Sequence, residues 1–365
     1  MIALSLLAFV LASSGHAAEP WEETWAKTLA AAKQEGTVVV SGPPGALQRQ
    51  VITGKWAEDF PDIRLDYSGA RGTQLIAKVV RERASGLYNW DVVLASTDPT
   101  VFSLVPIDAL APLRDALIKP DIADDRTWID GFAAGFMDKE KKFFYSARGA
   151  GAQPIGYANR DCISPAVLGS IGDFKKPELK GKIVWYDPTR PSTGSRGTWV
   201  IALRQGEDWL KDLFQNHGVT FSRDYRQMTD WLVHCVKPVA IGVPPDPVEQ
   251  MQAAGIGKNI ETLQGKAYTG EPLPGAAGGN ESIGWYTHAP HPNAAKIFVN
   301  WFLSKDLQEA YLRVVKNNSR RRDTPPGDPA HAMQPGTQYF SWSNEDATVH
   351  IKALQAKIKQ WGVLP

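Results

Sequence analysis

Residues 63–96 read IRLDYSGARGTQLIAKVVRERASGLYNWDVVLAS, and this stretch decides the fold. Its outer segments, IRLDYSG and WDVVLAS, have the apolar content of buried strands. The segment between them, TQLIAKVVRERASG, has amphipathic helical spacing and closes at Gly86. A strand, a helix and a second strand in this order predict parallel strands connected through a helix.

The same alternation continues on both sides of this stretch. Upstream, the helical segment WEETWAKTLAAAKQEG ends at Gly36, and TVVVSG (37–42) follows as a buried strand. Downstream, PIGYAN (154–159), KIVWYD (182–187) and KPVAIGV (237–243) are strand-like. The segment HPNAAKIFVNWFLSKDLQEAYLRVV then has the pattern of one long amphipathic helix. We therefore predict an α/β protein whose lobes each hold a mainly parallel sheet flanked by helices.

The length of 365 residues fits two lobes of this kind. We expect the chain to cross between them near residues 148–156 and 272–284, where Gly and Pro are frequent. Lobe 1 would comprise residues 19–150 and 280–365, including the C-terminal helices, and lobe 2 residues 151–279. A net charge of +1 argues against a broad nucleic-acid surface.

The N-terminus, MIALSLLAFVLASSGHAAEP, has the pattern of a secretory signal peptide, with an apolar run and small residues before Glu19. We predict residues 1–18 as that peptide and a periplasmic location for the mature chain, although no Lys or Arg precedes the apolar run. The run is too short to span a membrane. Cys162 and Cys235 form either one disulfide, as an oxidising compartment permits, or two separate buried thiols.

The stretch DPTRPSTGSRGTW (187–199) leads into an apolar helical segment. Backbone N–H groups at such a helix start can hold an anion, or the Ser and Thr side chains can simply cap the helix. The stretch lacks the Lys-Ser or Lys-Thr of a phosphate-binding P-loop. Ser195 lacks the preceding Gly of a hydrolase nucleophile elbow. We found no metalloprotease, CxxC or dinucleotide motif, so we expect a binding protein, not an enzyme, with no cofactor and no metal.

Three segments carry a resemblance to a known family: WAKTLAAAKQEGTVVVSG, FPDIRLDYSGARGTQLIAKVVRERASGLYNWDVV and HPNAAKIFVNWFLSKDLQEAYL. The chain resembles the periplasmic solute-binding proteins of ABC transporters, in their ferric-ion-binding-like branch. The resemblance covers nearly the whole mature chain and weakens after about residue 325. It implies a type II periplasmic-binding-protein fold, in which two lobes close over one ligand. It also implies docking on a membrane permease with its ATPase.

The iron-binding members of that family hold Fe³⁺ with an adjacent tyrosine pair after the VAxG strand. Here the corresponding stretch reads VAIGVPPDP, so that Pro244, Pro245 and Asp246 stand at these positions. We therefore expect a small polar, anionic organic solute carrying a carboxylate, phosphate or phosphonate group. Ferric iron held through a bound anion or chelator is the alternative within the class. An exported enzyme on the same two-lobe fold and a sensor subunit are alternatives from other classes.

Candidate ligand-binding residues lie where strands turn into helices, because N–H groups and side chains at these turns face a crevice between lobes. Arginines among them would clamp an anion. For each residue a structural role, as a helix cap, a strand-end turn or a surface salt bridge, is the alternative. The candidates are Ser41, Arg71, Gly72, Thr73, Ser96, Thr97, Arg148, Ser192, Thr193, Gly194, Ser195, Arg196 and Asp246. We expect the protein to act as a monomer.

Overall fold

The computed structural model describes residues 19–70, 72–148, 154–264, 268, 282–315, 317–329, 332 and 344–364. The predicted signal peptide lies outside these residues. Within them, none of the helices combines the length and the apolar character needed to cross a membrane.

Two five-stranded sheets organise the described chain. The first contains β1 (Thr37–Gly42), β2 (Arg64–Gly69), β3 (Val92–Ala95), β4 (Leu110–Ala111) and β10 (Ser282–Tyr286). The second contains β5 (Gly156–Asn159), β6 (Ile183–Tyr186), β7 (Thr220–Ser222), β8 (Val239–Ile241) and β9 (Ile260–Leu263). Their strand orders are β2-β1-β3-β10-β4 and β7-β6-β8-β5-β9.

Helices flank both sheets. In chain order they are α1 (Pro20–Glu35), α2 (Ala46–Asp59), α3 (Gly72–Ala84), α4 (Thr97–Leu104), α5 (Pro120–Ala123), α6 (Thr193–Gln205), α7 (Glu207–Asn216), α8 (Tyr225–Val233), α9 (Pro245–Ala253), α10 (Pro292–Phe302), α11 (Lys305–Val315) and α12 (Glu345–Gln360). Short 3₁₀ turns span 105–107, 113–116, 125–127, 132–135, 171–175 and 177–179.

The two sheets share one pattern of strand directions. In the first, β1 runs parallel to β2 and β3, whereas β10 is antiparallel to β3 and β4. In the second, β6 runs parallel to β7 and β8, whereas β5 is antiparallel to β8 and β9. The parallel strands of each sheet thus end at one edge, where α3, α4, α6 and α8 begin. The predicted two-lobe α/β architecture is confirmed, with one reversed strand in each mainly parallel sheet.

The apolar segments named from the sequence build the cores. In lobe 1, α1 ends as predicted at Gly36, whose φ of 68° gives the left-handed cap conformation that glycine favours. Val38 and Val40 of β1 are fully buried. In lobe 2, the Trp185 indole is buried and donates a hydrogen bond of 2.7 Å to Thr198 Oγ1 of α6. These contacts fix each helix on its sheet.

One local prediction was wrong. The segment from residue 291 to 315 is not one helix, because α10 ends at Phe302 and α11 begins at Lys305. Between them, Ser304 Oγ donates to Trp301 O at 2.7 Å and accepts from Leu307 N at 3.4 Å, which ends one helix and caps the next. The predicted crossing near residues 272–284 stays a prediction, because residues 272–281 lie outside the described chain, while residues 282–286 form β10 of the lobe 1 sheet, a strand that the sequence analysis did not name.

The C-terminal segment divides between the two lobes. Helices α10 and α11 pack into the lobe 1 core, as expected for C-terminal helices assigned to lobe 1. Helix α12 instead places Ile351, Leu354 and Ile358 in the lobe 2 core. The exact lobe boundaries remain a prediction.

The cysteines form one disulfide, Cys162–Cys235, with the two Cα atoms 6.1 Å apart. It links the segment after β5 to the segment after α8. Asn159 lies beside it, and its amide Nδ2 donates hydrogen bonds to Leu232 O and Val233 O. The sequence left open whether these cysteines form a disulfide or remain separate thiols, and the structure has the disulfide.

Candidate functional site

A cavity of about 240 Å³ lies between the two lobes. Lobe 1 contributes the starts of α3 and α4, lobe 2 contributes the start of α6, and α12 forms a further wall. The lining residues are Thr73, Ser96, Thr97, Asp98 and Pro99 from lobe 1, Pro191, Ser192, Ser195 and Arg196 from lobe 2, and Thr348, Ile351, Lys352 and Gln355 from α12. Helix starts from both lobes thus line one cavity, which is open to solvent on one side.

Six of the candidate residues meet in this cavity. They are Thr73, Ser96, Thr97, Ser192, Ser195 and Arg196. A second cavity of about 240 Å³ in lobe 1 adjoins the first at Ser96 and includes Gly72. The strand-to-helix turns are therefore placed in the way the sequence predicted, at facing edges of the two sheets.

Four other candidates are not placed in this cavity: two lie in other parts of the structure, and two fall outside the described residues. Ser41 is fully buried, with its hydroxyl 3.4 Å from both Val92 O and the Tyr286 hydroxyl, so it serves the lobe 1 interior. Arg148 is buried against the rings of Tyr311 and Phe302, at 3.7 and 4.8 Å from their centroids. Arg71 and the side chain of Asp246 lie outside the described residues.

The two serines at the start of α6 form a helix cap. Ser192 Oγ accepts a hydrogen bond of 3.2 Å from Ser195 N, and Ser195 Oγ accepts one of 3.1 Å from Ser192 N. Each hydroxyl therefore satisfies a backbone N–H at the helix start. The capping alternative accounts for both hydroxyls, although the residues also line the cavity.

Thr193 and Gly194 fix α6 against the sheet. Thr193 Oγ1 donates to Gly242 O, and its neighbour Tyr225 has its hydroxyl 3.4 Å away. Gly194 packs so closely on Tyr186 that a Cβ there would lie 2.7 Å from the Tyr186 carbonyl oxygen. Within the described chain, the N–H groups of Thr193 and Gly194 have no acceptor. These two donors lie at the positive end of the helix dipole, behind the lining residues Ser192, Ser195 and Arg196.

Arg196 is the main positive charge of lobe 2 at this cavity. Its side chain lines the cavity, and the described part of the chain gives its guanidinium no hydrogen bond and no ion pair. Burial lowers the pKa of Arg196, and the negative charge of Asp98 opposes that shift. A partly buried guanidinium with five unused donors is suited to a carboxylate or phosphate oxygen.

Lobe 1 contributes Thr97 and Asp98 to the cavity wall, and Thr100 lies behind them. Thr97 is 2% exposed and Thr100 is fully buried, and their Oγ1 atoms have no hydrogen-bond partner among the described residues. Asp98 Oδ1 lies 2.6 Å from Lys352 Nζ of α12. Buried hydroxyls without partners are rare in folded proteins, and a bound solute can supply the missing acceptor or donor.

Asp187 holds the loop that leads into α6. Its fully buried carboxylate accepts hydrogen bonds from Thr189 N, Thr189 Oγ1 and, at 2.7 Å, Arg223 Nε. Burial raises the pKa of Asp187, but the bonds from Thr189 and Arg223 outweigh it, so the pKa is below its ordinary value. The charged carboxylate therefore stabilises the loop.

Replacing Asp187 with Asn is expected to lower the free energy of unfolding by about 2 kcal/mol at pH 7, since a charged acceptor is lost. Because the folded pKa is depressed, this stabilisation is complete above the unfolded value near pH 4 and disappears as pH falls through the folded pKa. Urea unfolding at pH 7 and near pH 3 measures it. The exposed Asp208→Asn is the control, and a wild-type advantage equal at both pH values would contradict the expectation.

No group of three His, Cys, Asp or Glu side chains in the described part of the chain is arranged to hold a metal ion. At the positions of the family's tyrosine pair, Pro244 and Pro245 form the entry to α9. The described cavity walls offer a guanidinium, hydroxyls, and the ammonium of Lys352 paired with the carboxylate of Asp98, so that the unpaired charge at the wall is the positive charge of Arg196.

The residues of α12 were missed in the sequence. Thr348, Ile351, Lys352 and Gln355 repeat at the spacing of one helix face, but this pattern predicts any buried or half-buried face. Nothing near them in the chain indicates that the face meets a cavity formed by residues 73–99 and 191–196. Such a contact depends on tertiary structure.

The two sheets, their shared strand pattern and the cleft between them define the class of fold, the two-lobe type II periplasmic binding proteins. Solved structures agree with this assignment. The ferric binding protein of Bordetella superposes with a TM-score of 0.66 at 14% identity, covering 90% of this chain and 99% of that one. Iron-bound HitA from Pseudomonas aeruginosa gives 0.57 at 15%, covering 88% and 99%.

A third structure of the same fold is the periplasmic binding protein AfuA from Actinobacillus pleuropneumoniae with exogenous fructose-6-phosphate bound. It gives a TM-score of 0.52 at 17% identity, covering 88% of this chain and 98% of that one. Two of these neighbours are described as iron-bound or ferric binding proteins and the third as a periplasmic binding protein with a sugar phosphate bound. No family model matches the sequence, and no curated protein matches it. The resemblance predicted from the sequence is confirmed by the shared fold.

Proposed function

We propose that the protein is the substrate-binding component of an ABC importer and captures a small organic anion in the cleft between its lobes. The observation that carries the proposal is Arg196. Its guanidinium lines the cleft without a hydrogen bond or ion pair from the described chain. We further propose that the protein acts in the periplasm as a monomer, without catalysis, and delivers its solute to a membrane permease and its ATPase.

The physical argument starts from the cost of burying a charge. A guanidinium taken out of water loses hydration, which is the reason why burial lowers the pKa of Arg196. A carboxylate or phosphate oxygen placed against it would restore hydrogen bonds and charge balance. The empty cleft is thus less favourable for Arg196 than a cleft that holds an anion.

The helix starts around Arg196 also favour a negatively charged solute. The N–H groups of Thr193 and Gly194 belong to the first turn of α6, and α4 begins in the other lobe at Thr97. Each helix start carries a partial positive charge. The Thr97 hydroxyl, 2% exposed and without a partner, adds a hydrogen-bonding group beside them. An oxyanion can therefore be contacted from both lobes.

Contacts from both lobes couple binding to closure. A solute held by Thr97 of lobe 1 and Arg196 of lobe 2 gains both sets of interactions only when the lobes are together. Binding then shifts the population toward the closed state. The permease can then distinguish the closed, solute-bound form from the open form.

A thermal-shift screen of the chain from residue 19 tests the proposal. The panel contains acetate, succinate, citrate, fructose 6-phosphate, methylphosphonate, alanine, glucose and ferric chloride. A solute at 100 times its Kd stabilises the folded state by about 2.7 kcal/mol, which raises Tm by a few degrees. We expect the organic anions, and not glucose or alanine, to give the shift.

Other outcomes would decide against the proposal. A response to ferric chloride alone, with a coloured complex, would support the iron alternative. Chemical conversion of a bound solute would support an enzyme. If none of the anions stabilises the protein, the proposed solute class is wrong.

A further inference from the structure

Helix α12 is attached to both lobes. At its start, Glu345 N donates to Met137 O of lobe 1 at 2.7 Å, and Lys139 N donates to the Glu345 carboxylate at 2.9 Å. Further along, Leu354 and Ile358 are buried in the lobe 2 core. The helix therefore crosses the cleft in a fixed position.

One face of α12 is turned to the cavity. Gln355 on this face is 8% exposed, and its Nε2 has no hydrogen-bond partner among the described residues. A buried amide N–H₂ without an acceptor costs free energy that a solute oxygen would recover. The position resembles that of Thr97 across the cavity, whose hydroxyl is likewise unpaired within the described chain.

Lys352 lies one turn before Gln355 on the same face. Its Nζ is 2.6 Å from Asp98 Oδ1 and 4.1 Å from the centroid of the Phe102 ring. Asp98 also exerts the opposing charge effect on Arg196. Asp98 is thus paired with Lys352 and lies near Arg196 without an ion pair to it, at the cavity wall where an anionic solute would be attracted.

We propose that α12 is part of the solute-binding site, with Lys352 and Gln355 as binding residues and Asp98 as an internal competitor for Lys352. This inference rests on the proposed function. When the solute binds, its anionic group takes over the ammonium of Lys352 from Asp98, and its oxygen accepts from Gln355 Nε2. Removing the charge of Asp98 then strengthens binding, because the ammonium of Lys352 is released and a negative charge that repels the anionic solute is removed from the cavity wall.

The test measures Kd by isothermal titration of succinate, citrate, fructose 6-phosphate and methylphosphonate into four variants of the chain from residue 19. For the anions that bind the wild type, we expect Lys352→Met to weaken binding about tenfold and Gln355→Leu several-fold. Asp98→Asn is expected to tighten it several-fold. Lys359→Met, an exposed lysine of the same helix, is the control and should leave Kd unchanged.

The outcomes separate the two proposals. If the wild type binds an anion and both Lys352→Met and Gln355→Leu keep Kd within twofold, the role of α12 is refuted while the proposed function stands. Weaker anion binding by Asp98→Asn would refute the competition. If none of the four anions binds the wild type, the proposed function fails and this inference fails with it. Circular dichroism of each variant establishes that it is folded.

Discussion

The Arg196→Met variant is expected to bind its solute more weakly than the wild type by a factor of about 30 or more. Truncating one partner of a buried, hydrogen-bonded charge pair typically costs about 2–5 kcal/mol, and each 1.4 kcal/mol changes Kd tenfold. Methionine keeps most of the length and apolar volume of the arginine but offers no donor. Isothermal titration with the anion selected by thermal shift measures the loss.

The empty Arg196→Met protein is expected to be at least as stable as the wild type. In the empty cleft the guanidinium is partly buried and has no hydrogen bond within the described chain, and burial lowers its pKa. Replacing such a charge with an apolar side chain removes a desolvation penalty. Binding and stability should thus move in opposite directions, as is typical of functional sites. Thermal unfolding without solute measures the second quantity.

The matched control is Arg204→Met, in the last turn of the same helix, where the side chain is exposed. It should change neither solute affinity nor stability by more than a few tenths of a kcal/mol. If Arg196→Met unfolds the empty protein and Arg204→Met does not, Arg196 has a structural role. The proposal that Arg196 is an anion-binding residue would then be wrong.

The regular elements of this fold could be read from local patterns. The alternation in residues 63–96 predicted β2, α3 and β3, and every predicted boundary lies within two residues of the observed one. The prediction succeeded because each segment buries an apolar face with its own period. Gly36 marked the end of α1 because its φ of 68° disfavours other residues. These signals depend on residues close in the chain.

Other features depend on partners distant in sequence. The break before α11 arises from hydrogen bonds of Ser304, in a stretch whose apolar periodicity favours one helix. Strand β10 was missed because its pairing partners, β3 and β4, lie more than 170 residues earlier. The role of Ser192 and Ser195 was open because a capping pair and an anion-binding turn use the same residue types.

In the candidate site, too, features that depend on neighbouring residues were predicted and features that depend on distant residues were not. Its strand-to-helix turns were predicted, since parallel strands end at one edge of a sheet and the following helices start there. The wall formed by α12 was not, because Lys352 meets Asp98 only across 254 residues of chain. Sequence alone therefore identified the two lobe faces and not the helix that covers them.

The Gly242→Ala variant is expected to lower the free energy of unfolding by about 3 kcal/mol or more. Gly242 follows β8 with a φ of 81°, a conformation that strains an L-residue. Its added Cβ would also overlap Gly194 Cα and lie 2.8 Å from Gly194 N. Since both contacts are with backbone, the start of α6 must move off the sheet. Urea unfolding at pH 7 measures the loss.

The matched control is Gly54→Ala, in the interior of α2. No atom lies within 4 Å of its added Cβ, so the same substitution should stabilise the protein by about 0.5–1 kcal/mol. The displaced α6 of Gly242→Ala would also carry Ser195 and Arg196 away from the cleft, so that variant should lose solute affinity even below its Tm. If Gly242→Ala were as stable as the wild type and bound solute normally, the close contact of Gly242 with α6 would not position the site.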